Sequence, residues 1–530
     1  MPIRRLRRPD TIISSIQKRD PFQAPLYNDQ GSQYLVDISV GTPPQNFSVT
    51  LDTGSADLWI PGKFCPKTEC PNNLFDEAKS STFKDLGQSF GLTYGIGSVN
   101  GTYVTDTVSI SGATVQNQQF GLASYTKQIL TNPNTITAEN VGATTMATSD
   151  FIKSSLSKIW SLASASPSSS SSSSLTELDS PVGNGILGLG YPKLTAASSN
   201  GHGAYTPFVF QLAAQNLIKE PVFSIYLNSA NAQGWAGELI LGGVDSTKYS
   251  GNITYLPVVS LSSTRASKSK TKKKRSLPDN NNYYYWMVGA KGISVSTTDS
   301  ATSSTNKRSV DANAQTNRSN SSTTTTTITN AVADNSNFTS RTLFDVDLSS
   351  STGAFILDTG TTLTYLPSSI AKQIVETFAG SEGYTTDTGS GAYIIDCNTA
   401  KSNTQLIFKM SSGDSANPVT LSIPASQLVI ALDSSSPDDA SYCIFGIAPT
   451  TTNAVSSNLY LVGDSILRSI YMVFDMGNNR VGIASAAGVG GAVQGVSSVG
   501  HTSQGFLRMN NPILSVVSSL SLFVTAYLCL

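Results

Sequence analysis

Along this chain, apolar and polar residues alternate in short runs far more often than they recur at helical spacing. Tyr34–Val40 and Phe47–Leu51 alternate or run apolar, as strands do. Phe90–Thr107 reads as two strands around Tyr94–Ser98 and Asn100-Gly101, a hairpin signal. Val108–Leu122 continues as strand. Further on, Phe223–Leu227, Glu238–Leu241 and the aromatic run Tyr283–Val288 carry the same pattern. Tyr471–Phe474 and Arg480–Ile483 flank Gly477-Asn478-Asn479 as a terminal hairpin. Two stretches differ. Thr206–Ile218 has Phe208, Leu212 and Ile218 behind a proline and reads as a helix. Ser368–Phe378 sets Ile370, Ile374, Val375 and Phe378 on one side, behind Pro367 and a capping Ser368, and also reads as a helix.

Polar inserts interrupt the strand pattern. The stretch from about 126 to 181 is crowded with serine at Ser164–Ser174 and predicts an exposed loop. A second, about 261–282, holds the basic run Lys268–Arg275, which reads as solvated loop and as a candidate processing site. The third, about 296–342, contains the homopolymer Thr323–Thr327 and another dibasic pair, Lys307-Arg308. Its composition predicts disorder or glycosylation, because so few apolar residues cannot form a core.

With 530 residues the chain is long enough for more than one domain. The 34 basic and 35 acidic residues nearly cancel, which removes any bulk case for a nucleic-acid partner. Only 13% of residues are charged, about half the usual share, and Ser, Thr and Asn take their place. Six Asn-x-Ser/Thr sites, at Asn46, Asn100, Asn252, Asn317, Asn320 and Asn337, favour a secretory route. Those in polar inserts are the best candidates, and Asn46 precedes an expected core strand. The five cysteines and two histidines have no metal-ligand spacing, so no metal site is expected.

Candidate chemistry lies in two stretches, Leu51-Asp52-Thr53-Gly54-Ser55 and Leu357-Asp358-Thr359-Gly360-Thr361. Each sets a carboxylate on a tight turn behind an apolar run, with a hydroxyl on either side of a glycine. One Asp-Thr-Gly is an ordinary turn; two, each behind a hydrophobic run, point to a paired site. Hydrolysis of a peptide without metal or covalent intermediate needs a base to activate water and an acid to protonate the leaving amine. Two carboxyl groups about 3 Å apart share one proton and supply both. Such a pair titrates as a unit. Gly54 and Gly360 permit the sharp turn and close approach. Ser55 and Thr361 lie where a hydroxyl reaches the adjacent carboxylate, and Thr53 and Thr359 would cross-link the two loops.

From about Tyr27 to Ala484 the chain resembles the pepsin-like aspartic proteases. Tyr34–Gln45 looks like that family's first strands and turn, and Asp52–Pro61 like its first active-site loop. Tyr94-Gly95-Ile96-Gly97-Ser98 looks like its flap. Gly185–Gly190 and Leu461-Val462-Gly463-Asp464 resemble the apolar-Gly segments under each loop. The resemblance implies an all-β, bilobal pepsin-like fold, with two similar β-rich lobes, an active-site cleft between them and a few short helices. It implies Asp52 and Asp358 as the catalytic pair, and Tyr94 as the flap tyrosine with Trp59 as its hydrogen-bond partner. Gly95, Gly97 and Ser98 would complete the flap. Pairing Cys65 with Cys70 and Cys397 with Cys443 is both the simplest arrangement and the family's pattern; reduced thiols are the alternative. The implied activity is endopeptidase action on proteins or peptides at acidic pH, by a monomer without cofactor.

The expected division is 1–19 as pro-segment remnant, 20–232 as first lobe, 233–487 as second lobe, 488–511 as Ser/Gly-rich stalk and 512–530 as an anchor signal. Residues 1–19 are basic and show no signal peptide, and Lys18-Arg19 looks like a kexin-type cut. Pro512–Leu530, which includes Cys529, is apolar and uncharged behind the small, polar Gly488–Gln504. That is the pattern of a GPI anchor, with Gly500, Ser503 and Asn510 as attachment candidates and a membrane span as the rival. Anchor and glycans suggest an enzyme at a fungal cell surface, similar to yapsins and other GPI-anchored aspartic proteases, although the first insert has few acids, Glu177 and Asp179 among them. A catalytically silent relative that binds wall components is the other reading. Preference for basic or apolar side chains stays open.

Overall fold

The structure, a computed structural model, describes residues 21–29, 31–95, 97–130, 181–261, 283–300, 338–349, 352–388, 390–413, 417–450 and 458–495. Outside them lie the serine-rich stretch, the basic run, the dibasic pairs, Asn317, Asn320, Asn337 and the apolar tail.

Eight strands build the first half: β1 (Phe22–Asp29), β2 (Gln33–Val40), β3 (Gln45–Asp52), β4 (Leu58–Pro61), β5 (Lys84–Thr93), β6 (Ser98–Ile110), β7 (Ala113–Lys127) and β8 (Ile186–Gly188). They form one sheet in the order β1-β2-β3-β8-β4-β7-β6-β5, and β2 also pairs β6. Alternation explains β2 and β3. Val36, Ile38, Val40, Phe47, Val49 and Leu51 are buried, while Asp37 and Asn46 face solvent. Beyond β1 the sheet continues through Gly234–Leu241, Val222–Tyr226, Ile470–Asp475, Arg480–Ala486 and Tyr249–Pro257, so strands from both halves share a base. The expected lobe boundary falls in the turn between Val222–Tyr226 and Gly234–Leu241, which pair antiparallel in that base. The second half adds a nine-stranded and a four-stranded sheet. The protein is thus mostly β and bilobal, as the resemblance implied.

Several boundaries differ from expectation for one reason: polar residues extend strands wherever a neighbouring ladder accepts them. β7 runs through Thr126 and Lys127, which pair with Val99 and Ser98, so the first insert starts later than 126. Met287–Ser300 pairs with Phe338–Asp347, so both edges of the third insert are ladder rather than loop. Asn100-Gly101 lies within β6 opposite Gly91 and Phe90; the hairpin turn is at Tyr94–Gly97, where the Tyr94 N–H reaches the Gly97 carbonyl at 2.7 Å. The two longest helices among the described residues are Phe208–Ala214, shorter than Thr206–Ile218, and Ser368–Ala379. Among the described residues no helix is long and apolar enough to cross a membrane.

An aromatic cluster ties the halves together. Trp286 lies 4.5 Å from Tyr191, 5.8 Å from Phe223 and 5.2 Å from Phe474 between ring centroids. Its Nε1–H donates to the Leu189 carbonyl at 2.9 Å, so the buried indole is satisfied. Disulfides join Cys65 to Cys70 and Cys397 to Cys443. The second closes a sequence separation of 46 residues. On the loop-entropy account that constrains the unfolded chain by about 4 kcal/mol.

Candidate active site

Two strand ends present two carboxylates. Asp52 closes β3, which runs parallel to β8 with Asp52 opposite Gly188. Asp358 follows Ala354–Leu357, which runs parallel to Leu459–Val462. The halves therefore repeat one device: an apolar strand delivers the aspartate, and a second apolar strand braces it. Behind each aspartate the threonines interlock. The Thr53 N–H donates to Thr359 Oγ1 at 3.2 Å, and the Thr359 N–H to Thr53 Oγ1 at 3.0 Å. Thr53 Oγ1–H then donates to the Leu357 carbonyl at 2.8 Å, and Thr359 Oγ1–H to the Leu51 carbonyl at 3.0 Å. Four bonds cross between the loops with near-twofold symmetry, all buried. Each neutral bond contributes about 1 kcal/mol, and an unmade one strands a buried polar group.

The carboxylates are held from their own loops. Asp52 Oδ1 accepts the Gly54 N–H at 2.7 Å and the Ser55 N–H at 3.1 Å, and Oδ2 accepts the Ser55 hydroxyl at 2.5 Å. Asp358 Oδ1 accepts the Gly360 N–H at 2.9 Å, and Oδ2 the Thr361 hydroxyl at 2.8 Å. A Cβ on Gly54 would lie 2.4 Å from Asp358 Cγ, and one on Gly360 2.5 Å from Asp52 Oδ1. Each glycine thus leans on the opposite aspartate, which brings the two carboxyls face to face. Asp52, Asp358, Thr53, Thr359 and Thr361 are all buried, and Gly54, Ser55 and Gly360 partly so.

Burial raises both pKa values above the ordinary aspartate range, and for Asp358 the Asp52 charge adds to the rise. A group whose folded pKa is raised stabilises the fold below its unfolded value and loses that contribution as pH rises through the folded one. The window therefore opens near about pH 4, the unfolded aspartate value, and extends upward. Asp464, buried and pushed up by desolvation and by both dyad charges, has the same sign. The expected result is a melting temperature that falls by several degrees as pH rises from about 4 to 8, with a shallower fall in Asp358→Asn. Thermal scans of both proteins across that range check it; equal slopes would refute it.

Over the dyad stands the β5–β6 hairpin. Trp59 Nε1–H donates to the Tyr94 hydroxyl at 3.0 Å. Gly95 at the turn is exposed, and Gly97 and Ser98 are half-buried. Ile96 lies outside the described residues. The cavity beneath includes Asp52, Asp358 and Tyr94, with Gln33, Ile129, Leu130, Ile186 and Thr362 around them. The Thr362 hydroxyl donates to the Ser32 carbonyl at 2.6 Å, another link between halves. Among the described lining residues the only acids are the two of the dyad. Asp29, just behind, is bonded by Gln33 Nε2–H at 2.9 Å.

Sequence reading missed two parts of this region. Ile129 and Leu130 were assigned to an insert, yet they line the cavity; their apolar character was the available signal. Arg468 is fully buried, with Nε–H donating to the Tyr34 hydroxyl at 2.9 Å and Nη2 to the Gly31 carbonyl. Nothing in local sequence marks an arginine for burial. Elsewhere the candidate glycan acceptors Asn100 and Asn252 are exposed, as is Asn46, within β3.

Two symmetric Asp-Thr-Gly loops facing each other beneath a hairpin, on a two-lobed β fold, define a protease of the two-aspartate class. Residues 33–150, 160–352 and 313–486 match the eukaryotic aspartyl protease family, and the chain belongs to it. It is 27% identical to cathepsin E of Mus musculus over 464 residues, 87% of this chain and 82% of that protein. Cathepsin E-B of Xenopus laevis is 26% identical over 461 residues, covering 87% and 81%. Gastricsin of Mus musculus is 26% identical over 455 residues, covering 86% and 81%. The chain is an aspartic endopeptidase.

Proposed function

We propose that Asp52 and Asp358 share one proton and hold a water between them, the ionised carboxylate taking its proton while the protonated one polarises the scissile carbonyl. The proton returned to the amine then releases the product. The observation that carries this reading is the threonine interlock, which places two buried carboxyls opposite each other under Tyr94. Tyr94, with Trp59, Gly95, Gly97 and Ser98, closes over an extended peptide. The substrate side chain before the cut is apolar: Ile129, Leu130, Ile186 and Tyr94 surround the cavity, and among the described lining residues no acid besides the dyad is there to pair a lysine or arginine. The intact dyad and tyrosine speak against a silent binding protein.

A mixed peptide library cleaved from about pH 3 to pH 7, with and without pepstatin, tests this. Pepstatin-sensitive cutting after apolar residues, strongest at acidic pH, is expected. Cutting after Lys or Arg would overturn the specificity, and no cutting by processed enzyme would favour the binding reading.

We also propose that the chain is a cell-surface glycoprotein held by a GPI anchor, of the yapsin-like kind, acting as a monomer on secreted or surface proteins. The support is the uncharged run Pro512–Leu530 behind a polar spacer, together with the exposed acceptors Asn100 and Asn252. Release of activity from intact cells by a phosphatidylinositol-specific phospholipase is the expected result. Retention after that treatment would point to a membrane span instead.

A further inference from the structure

One buried carboxylate near the flap has no part in the chemistry above. Asp57 is fully buried, five residues beyond Asp52 and two before Trp59. Its Oδ1 accepts the hydroxyl protons of Tyr103 at 2.8 Å and Tyr205 at 3.0 Å. Its Oδ2 accepts the Ala196 N–H at 2.8 Å. Burial pushes the Asp57 carboxyl up, and the three donors that converge on it pull the other way, toward the charged form. The Asp57 carbonyl accepts the Gly188 N–H at 3.0 Å, so its loop is tied to the strand that braces Asp52.

Its partners reach the flap. Tyr103 lies on β6, the returning strand of the hairpin, and its ring meets Phe90 of the outgoing strand β5 edge-on at 5.2 Å. Tyr205 meets Tyr103 edge-on at 5.7 Å. Trp59, Phe90, Val99, Tyr103 and Tyr205 form one apolar cluster, with Tyr94 packed against it. The same short loop therefore holds Tyr94 through Trp59 and the hairpin base through Asp57.

We propose that Asp57 is a positioning residue: with Tyr103 and Tyr205 it fixes the base of the flap hairpin and so the pose of Tyr94 over the dyad. This rests on the reading of Asp52 and Asp358 as the reacting pair. Asparagine is an imperfect substitute: with its oxygen on the Ala196 N–H, its NH2 faces both tyrosine hydroxyls, reverses those two bonds and takes away the charge and the acceptor that the hydroxyl protons had. Tyr103→Phe and Tyr205→Phe keep the rings and remove one donor each.

The test measures kcat and KM of the full chain for a long peptide, with melting temperature, for Asp57→Asn, Tyr103→Phe and Tyr205→Phe, each alone and with Tyr94→Phe. Amide exchange across β5 and β6 is followed without substrate. The expected losses in kcat/KM are about 100-fold for Asp57→Asn and about tenfold for each tyrosine, less than multiplicative with Tyr94→Phe because both act through one pose. Flap amides should exchange at least about tenfold faster, while Ala354–Leu357 and Leu459–Val462 keep their protection. Lower melting temperature with kcat/KM within about twofold, or losses that multiply with Tyr94→Phe, would show a merely structural role. Should wild-type enzyme cut nothing, the dyad reading fails separately, and flap exchange alone decides: unchanged exchange in the phenylalanine variants overturns the proposal.

Discussion

Asp358→Asn is expected to abolish peptide cleavage while leaving the fold intact and firmer at neutral pH. A single acid/base group contributes about 10²–10⁴ in rate, and each aspartate here would serve in both halves of the cycle. A loss in kcat/KM of at least about 10⁴, or about 5 kcal/mol of transition-state stabilisation, follows. The asparagine can keep its oxygen on the Gly360 N–H, while its NH2 donates to the Thr361 hydroxyl oxygen in place of accepting from it, so loop geometry gives no reason for collapse. It removes a carboxyl that burial and the Asp52 charge hold toward the protonated form, a cost to the fold at any pH above the unfolded aspartate value. Activity and stability should therefore move in opposite directions at pH 7. Progress curves against a melting scan at that pH measure both. Residual activity above about 1% of wild type would contradict the two-aspartate mechanism; lost activity with lost folding would leave chemistry and structure confounded, and Asp52→Asn is the paired check.

Gly54→Ala is expected to lower kcat by at least about 100-fold, although it replaces no acid or base group. The new Cβ would lie 2.4 Å from both Cγ and Oδ1 of Asp358 and 2.5 Å from Oδ2. Gly54 cannot retreat easily, because its N–H holds Asp52 Oδ1 at 2.7 Å. The carboxyls must part, and a displacement of about 1 Å in a reacting group costs about 10² in rate. Overpacking adds about 1–3 kcal/mol of instability. Gly360→Ala should behave alike, its Cβ meeting Asp52 Oδ1 at 2.5 Å. Gly87→Ala is the control. It has open space around it but a φ of +63°, so it should lose about 1 kcal/mol of stability and no activity. Rates and melting temperatures of the three variants decide; wild-type kcat in Gly54→Ala would mean that the dyad is not held by the close approach.

The legible parts of this protein were those in which local chemistry and function coincide. Two Asp-Thr-Gly turns behind apolar runs announced the dyad, because that turn needs those residues in that order. Tyr94 and Trp59 were legible as a pair only by resemblance; no periodicity joins residues 35 apart. The insert boundaries were misplaced where Thr126, Lys127 and the residues flanking 301–337 looked like loop yet found ladder partners. Strand length depends on the neighbour as much as on the residue.

By itself the sequence determined the all-β class and the two aspartates with their threonine and glycine neighbours. Each is a short-range matter: alternation sets a strand's faces, and a turn's residues set its conformation. Only the tertiary structure decided that Thr362 donates to Ser32 across 330 residues of chain, that Ile129 and Leu130 line the cleft, and that Asp57 gathers Tyr103 and Tyr205. Those contacts join segments with no sequence relation. Their energy comes from burying polar groups that must find partners in whatever element packs beside them, and that choice is made by the fold as a whole.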